Sequence, residues 1–276
     1  MFRIKSIAFS VALLASASVM ASPITVIAYS SITGPNLKKV DFEDLGAVAS
    51  PNLNKNLDGL VTSDGATFGA SFQGQVLSSG GPGTATNFDV LSDSTTGGAL
   101  TLVADAAGHN LAEVSTMIPG TLNAITGVGN LGYGPTGSGN TESLGEGSVA
   151  IKFATAQSSF GIEALLVNGN STMTVDFFRA DGSLIGTQVV NASLGTGPLA
   201  TNYYGFATTD GVADIAGISI TNTDFEGLVY DNLVFSAPDS VVTAPVPEPA
   251  TNALMLAGLA ALGAVMRKRR SIRTNR

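Results

Sequence analysis

Apolar residues alternate with polar or small ones along many short stretches of the chain. Val149, Ile151 and Phe153 form one such set, and Met173, Val175 and Phe177 another. Ile218 and Ile220 form a third, and Phe68, Ala70 and Phe72 a fourth. A repeat of two puts every second side chain on one face, as in a half-buried antiparallel strand. Gly, Asn, Asp, Ser and Pro separate these stretches. Asp181-Gly182 sits between expected strands at 172–180 and 183–190 and reads as a two-residue hairpin turn, because Gly tolerates positive φ. Asp58-Gly59, Asp64-Gly65 and Asp210-Gly211 are similar but less well framed. Helical periodicity is scarce, and its best instance, residues 104–117, is interrupted by Gly108. Roughly eleven or twelve strands are expected between residues 24 and 236, too many for one flat sheet. The pattern predicts an all-β fold, an antiparallel β-sandwich of jelly-roll-like form.

Two segments depart from the alternation. Residues 127–147 hold eight glycines in 21 positions. They read as a long loop within one domain or as a divider between two β subdomains. Residues 237–249 are rich in Pro, Val and Ala and read as a linker.

The two ends lie outside the sandwich. Arg3 and Lys5 precede an apolar run from Ile7 to Leu14, and small residues follow. This order is that of a secretory signal peptide over residues 1–21, cleaved after Ala21, with Ala17 as the other candidate. At the far end, Val246-Pro247-Glu248-Pro249 precedes an uncharged stretch over residues 250–266. As a helix, Thr251 to Met266 would extend about 24 Å, enough for a short transmembrane span if the flanking basic stems reach the interface. Residues 267–276 carry six of the 13 basic residues of the chain. By the positive-inside rule this tail stays in the cytoplasm and the body lies outside.

A plain single-pass anchor has such an apolar stretch and basic stop. The full order, Pro247-Glu248-Pro249, a short apolar helix and an arginine-rich end, resembles the PEP-CTERM sorting signal over residues 245–270. That resemblance implies an exported protein whose Pro247, Glu248 and Pro249 are read by an exosortase-type membrane protease, then cut nearby and released or attached at the surface. Asn252 is an unusual polar residue for such a helix.

Composition then narrows the chemistry. The chain has 276 residues with no Cys, no Trp and one His. Thiol chemistry, disulfides, Cys-based zinc sites and multi-His metal centres are thereby excluded. Residues 22–249 hold five basic and all 21 acidic residues, a formal charge of −16. Such a body repels nucleic acid and anionic lipid, and it is compatible with divalent cations.

Candidate sites follow from this inventory. Gly127-x-Gly129-x-x-Gly132 and Gly132-x-Gly134-x-x-Gly137 match a dinucleotide fingerprint, but Gly and Pro follow where a helix is required. His109 reads as a surface residue that would share a face with Glu113 only if the stretch were helical. Glu43 near an early strand and Asp231 in the last one would approach each other if the first and last strands pair. Hard oxygen ligands from two strands suit Ca²⁺, and the arrangement loosely resembles the structural calcium site of lectin-like jelly rolls. Tyr203-Tyr204 is the best candidate sugar platform, since adjacent rings on a strand point to opposite faces.

These observations predict a non-enzymatic exported protein of the cell envelope or exopolysaccharide matrix. A calcium-stabilised, carbohydrate-binding module is the alternative, and a secreted hydrolase working through carboxylates is a third.

Overall fold

The computed structural model describes residues 24–46, 54–80, 88–115, 123–133, 143–166, 170–193, 200–224 and 227–237. These belong to a compact unit that ends at Pro238. Along the chain the strands begin with β1 (Ile24–Ile27), β2 (Lys38–Val40), β3 (Asn54–Leu57), β4 (Val61–Ser63), β5 (Ala66–Gly69) and β6 (Ser71–Phe72). Next come β7 (Leu77–Ser79), β8 (Asp89–Leu91), β9 (Leu102–Val103), β10 (Leu111–Ser115), β11 (Asn123–Val128), β12 (Leu144–Gly147) and β13 (Val149–Gln157). The last six are β14 (Ser159–Leu166), β15 (Asn170–Phe178), β16 (Leu184–Ser193), β17 (Ala200–Thr208), β18 (Ile215–Asn222) and β19 (Leu228–Ser236). Short 3-10 turns at Tyr29–Ser31 and Glu43–Leu45 complete the elements.

Two antiparallel sheets hold most of these strands. The larger runs β1-β17-β14-β19-β11-β10-β3, with β12 paired to β11 and β2 to β19. The smaller runs β16-β15-β18-β13-β5-β4. One core joins them. Phe160, Phe206, Tyr230 and Phe235 of the larger sheet are buried together with Phe68, Ile151, Phe153, Val175, Phe177 and Ile218 of the smaller. Aromatic contacts bridge the layers, with ring centroids 4.8 Å apart for Phe153–Phe235, 5.3 Å for Phe177–Phe206 and 5.2 Å for Phe42–Phe68. Each of the alternating sets read from the sequence thus lies in the interior. Phe72 belongs to a second cluster with Leu100, Leu102, Ala150, Phe178 and Ala216. There β6 and β9 pair as a separate two-stranded ribbon.

The turn readings hold in place, but the first differs in length: Asp181-Gly182 belongs to a three-residue loop, 180–182, closed by the Arg179 N–H donating to the Ser183 carbonyl and the Gly182 N–H donating to the Arg179 carbonyl, both at 2.9 Å. Asp181-Gly182 joins β15 to β16, with Gly182 at φ +78°. Asp64-Gly65 joins β4 to β5 with both residues at positive φ, 42° and 88°, as a type I′ hairpin requires. Other expectations are corrected. The described residues form 19 strands rather than eleven or twelve, the excess being short ones of two to four residues such as those of the β6–β9 and β7–β8 pairs. Residues 127–147 are not one long loop: Val128 and Leu144 pair across β11 and β12, as do Gly127 and Gly147. A Cβ on Gly127 would lie 2.3 Å from the Gly147 carbonyl oxygen, so these glycines let two backbones approach. Within 104–117, Leu111–Ser115 is strand β10, paired on both sides, so His109 and Glu113 share no helix face. Glu113 is buried and pairs with Lys55 at 3.3 Å.

The glycines Gly161 and Gly205 are register partners on β14 and β17. The chain after β1 crosses the outer face of the larger sheet above them. A Cβ on Gly161 would meet Ile32 and Tyr29 at 2.8 Å, and one on Gly205 would meet the backbone of Ile27 and Tyr29 at 2.9 Å. Backbone cannot step aside as a side-chain tip can. Gly205→Ala is therefore expected to lower stability by roughly 1–3 kcal/mol in urea denaturation, and an unchanged midpoint would show that the crossing segment is loosely held.

The signal peptide expected over 1–21, the linker beyond 237, the helix over 250–266 and the tail over 267–276 lie outside the described residues. Among the described residues no helix is long and apolar enough to cross a membrane.

Candidate functional site

The outer face of the larger sheet carries a row of polar side chains across three strands. Glu163 on β14 is the register partner of Tyr203 on β17 and of Asp231 on β19. Adjacent partners in an antiparallel ladder place their side chains together on one face. The Tyr203 hydroxyl donates to Glu163 Oε1 at 2.9 Å. Asn232 Nδ2 donates to Glu163 Oε2 and, at 3.0 Å, to Asp231 Oδ2. The Tyr29 hydroxyl donates to the Asn232 carbonyl at 2.5 Å, and its ring lies 5.2 Å from that of Tyr203.

A bulge makes this row. Asn232 has φ +44°, and the β14–β19 register slips between Gly161 and Glu163. The extra residue turns Asp231 outward and lets Leu233 and Phe235 return to the core. Asn is one of the few residues that accept this conformation cheaply. Its side chain then separates two carboxylates that would otherwise face each other directly. Asn232→Gly relieves the backbone but removes both amide hydrogen bonds. It is expected to cost roughly 1–3 kcal/mol in thermal or urea melts; a gain in stability would assign the residue to the backbone alone.

Burial differs sharply along the row. Asp231 is 0% and Glu163 5% exposed, whereas Tyr203 is 56% exposed. Burial, together with the nearby Glu163 charge, pushes the Tyr29 hydroxyl up to about 12. The Tyr203 hydroxyl is also raised, by desolvation first and then by its hydrogen bond to Glu163. Both shifts come first from burial, with the Glu163 carboxylate acting in the same direction.

The structure brings Asp231 and Tyr203 into this one row. It places Tyr204 against the core, with its hydroxyl donating to the Asn191 carbonyl at 3.3 Å. β2 and β19 do pair, Val40 opposite Leu233. Glu43 lies beyond Phe42, which turns the chain at φ +58°, and Glu43 Oε1 accepts the Asn123 backbone N–H at 3.2 Å. Calcium takes six to eight oxygens; among the described residues no group of three or more Asp, Glu, His or Cys side chains is arranged to hold a metal. His109 is half-buried, with Nδ1 3.4 Å from the Gly129 carbonyl.

Glu163, Tyr29 and the bridging role of Asn232 escaped the sequence reading. One signal was present. In Leu228-Val-Tyr-Asp-Asn-Leu-Val-Phe235 the apolar alternation slips by one residue at Asp231-Asn232, the mark of a bulge.

Comparison with known families identifies a PEP-CTERM protein-sorting motif at residues 245–270. The chain is therefore an exported protein of the exosortase-processed class, a precursor sorted to the envelope. Pro247, Glu248 and Pro249 fall within the match and outside the described residues. A search of the curated proteins found no match.

Proposed function

We propose that this protein is a non-enzymatic component of the cell envelope or exopolysaccharide matrix, delivered by its signal peptide and sorted through its C-terminal signal. The observation that carries this reading is the sorting motif at residues 245–270. In this reading residues 22–236 form a jelly-roll-like body outside the cell and residues 237–249 a spacer. Residues 250–266 hold the precursor in the inner membrane, with residues 267–276 in the cytoplasm. The processing partner is an exosortase-type protease acting near Pro247-Glu248-Pro249. Intact-mass measurement of the mature protein tests the scheme, since it locates both cleavages at once. A mass equal to that of the whole chain would end it.

A carbohydrate-binding body is the second reading, favoured by the exposed Tyr203 ring. The two readings are compatible, because a matrix protein needs a contact with its matrix.

A further inference from the structure

Tyr203 stands in the middle of β17, yet its ring is more than half exposed. Its underside is fixed on two sides. The Tyr29 ring packs against it at 5.2 Å, and Glu163 accepts its hydroxyl proton at 2.9 Å. Glu163 is itself held by Asn232. A ring fixed in this way loses little freedom when a ligand stacks on it.

The same contacts decide what stacks. A phenol that donates to a carboxylate has an electron-rich ring, and such a face attracts cations. Asp231, on the strand beyond Glu163, adds a second carboxylate to the same row. With five basic residues against 21 acidic ones over residues 22–249, the whole body acts in the same sense and repels anionic polymers. The ligand that suits a flat apolar face in a negative field has a C–H face of its own and carries positive charge.

We infer that Tyr203, backed by Glu163, is a binding subsite for glycans bearing protonated amino groups, the chemistry of a partly de-N-acetylated amino-sugar polymer. The inference rests on the matrix reading above and names its partner class. The pyranose C–H face stacks on the Tyr203 ring while an ammonium group lies toward Glu163. A lysine-rich peptide offers the charge without the pyranose face, and it serves as the opposing outcome.

The test uses the full chain in a neutral detergent, with calorimetric titration of four probes: a glucosamine trimer, its fully N-acetylated form, a galacturonate trimer and trilysine. The glucosamine trimer is expected to bind about tenfold more tightly than the other three, a step of about 1.4 kcal/mol. Tyr203→Ala should weaken that binding about tenfold, while Tyr203→Phe, which keeps the stacking face and loses the phenol that donates to Glu163, should weaken it by about threefold. Glu163→Gln should bring the amino and acetylated trimers close to equal affinity. Asp64→Asn removes one charge from the β4–β5 turn of the other sheet and should change nothing. Equal loss in Asp64→Asn, trilysine binding as tightly as the trimer, or Tyr203→Ala binding unimpaired would each overturn the subsite. Fractionation of the matrix is scored separately. Protein found in the matrix without trimer binding removes only the subsite, and trimer binding by protein absent from the matrix removes the matrix reading instead.

Discussion

A chain lacking residues 245–276 is expected to lose surface retention altogether and to accumulate in the medium. The signal at those residues combines three physically distinct parts, and each fails differently. In the proposed scheme the apolar stretch over 250–266 would partition into the bilayer, the basic tail would fix its orientation, and Pro247-Glu248-Pro249 would be what the protease reads. Pro247→Ala combined with Pro249→Ala leaves the first two parts intact. That variant should remain in the membrane as a precursor of higher mass than the mature protein, whereas the truncation should be released. Fractionation followed by intact-mass measurement separates the outcomes. Retention of the truncated chain would place the surface determinant in the β body. Normal processing of the double variant would reduce residues 245–270 to a plain anchor.

The architecture was legible where the physics is local. The alternation of Met173, Val175 and Phe177 places three side chains on one face, and all three are in the core. Asp64-Gly65 closes a hairpin because both residues of a two-residue turn need positive φ, which Asp and Gly tolerate, while at Asp181-Gly182 only Gly182 takes it, at the end of a three-residue loop. The glycines of 127–147 misled for the opposite reason. Glycine signals a loop by its freedom, but it also permits close approach of two backbones. Which of these applies at Gly127 depends on Gly147, twenty residues away. The polar row was harder still. Tyr203, Glu163 and Asp231 meet only because three strands, far apart in sequence, share one register. No local window contains that register. The sequence offers Asp231 as a partner of Glu43, through pairing of an early and the last strand, and Tyr203 as an aromatic platform, and nothing in it points to Glu163 as the residue that joins Asp231 and Tyr203.

Replacing Asp89 by Asn is expected to stabilise the protein above neutral pH and to flatten its pH profile. Asp89 opens β8, the strand paired with β7 in a separate two-stranded ribbon, and is 5% exposed. Its Oδ2 accepts the Ser148 backbone N–H at 2.9 Å and lies 3.3 Å from Ser148 Oγ, so it ties the ribbon to the start of β13. Burial pushes this carboxyl up to about 6 from an ordinary 3.8; the Ser148 hydrogen bonds oppose the shift, Asp105 adds to it, and His109 works against it. The folded state therefore binds this proton more tightly than the unfolded chain. Between pH 3.8 and about 6 the folded protein carries the extra proton, so stability falls as pH rises through that window. Above it the loss is complete, on the order of 3 kcal/mol for a shift of about two pH units. Asn keeps the acceptor for Ser148 and carries no charge to desolvate. Urea denaturation of the full chain at pH 4.5, 6 and 8 should show the variant gaining about 1–2 kcal/mol over the parent at pH 8 and little at pH 4.5. Parallel profiles for the two proteins would mean that Asp89 is solvated well enough to ionise without cost, and that some other group sets the pH dependence of the fold.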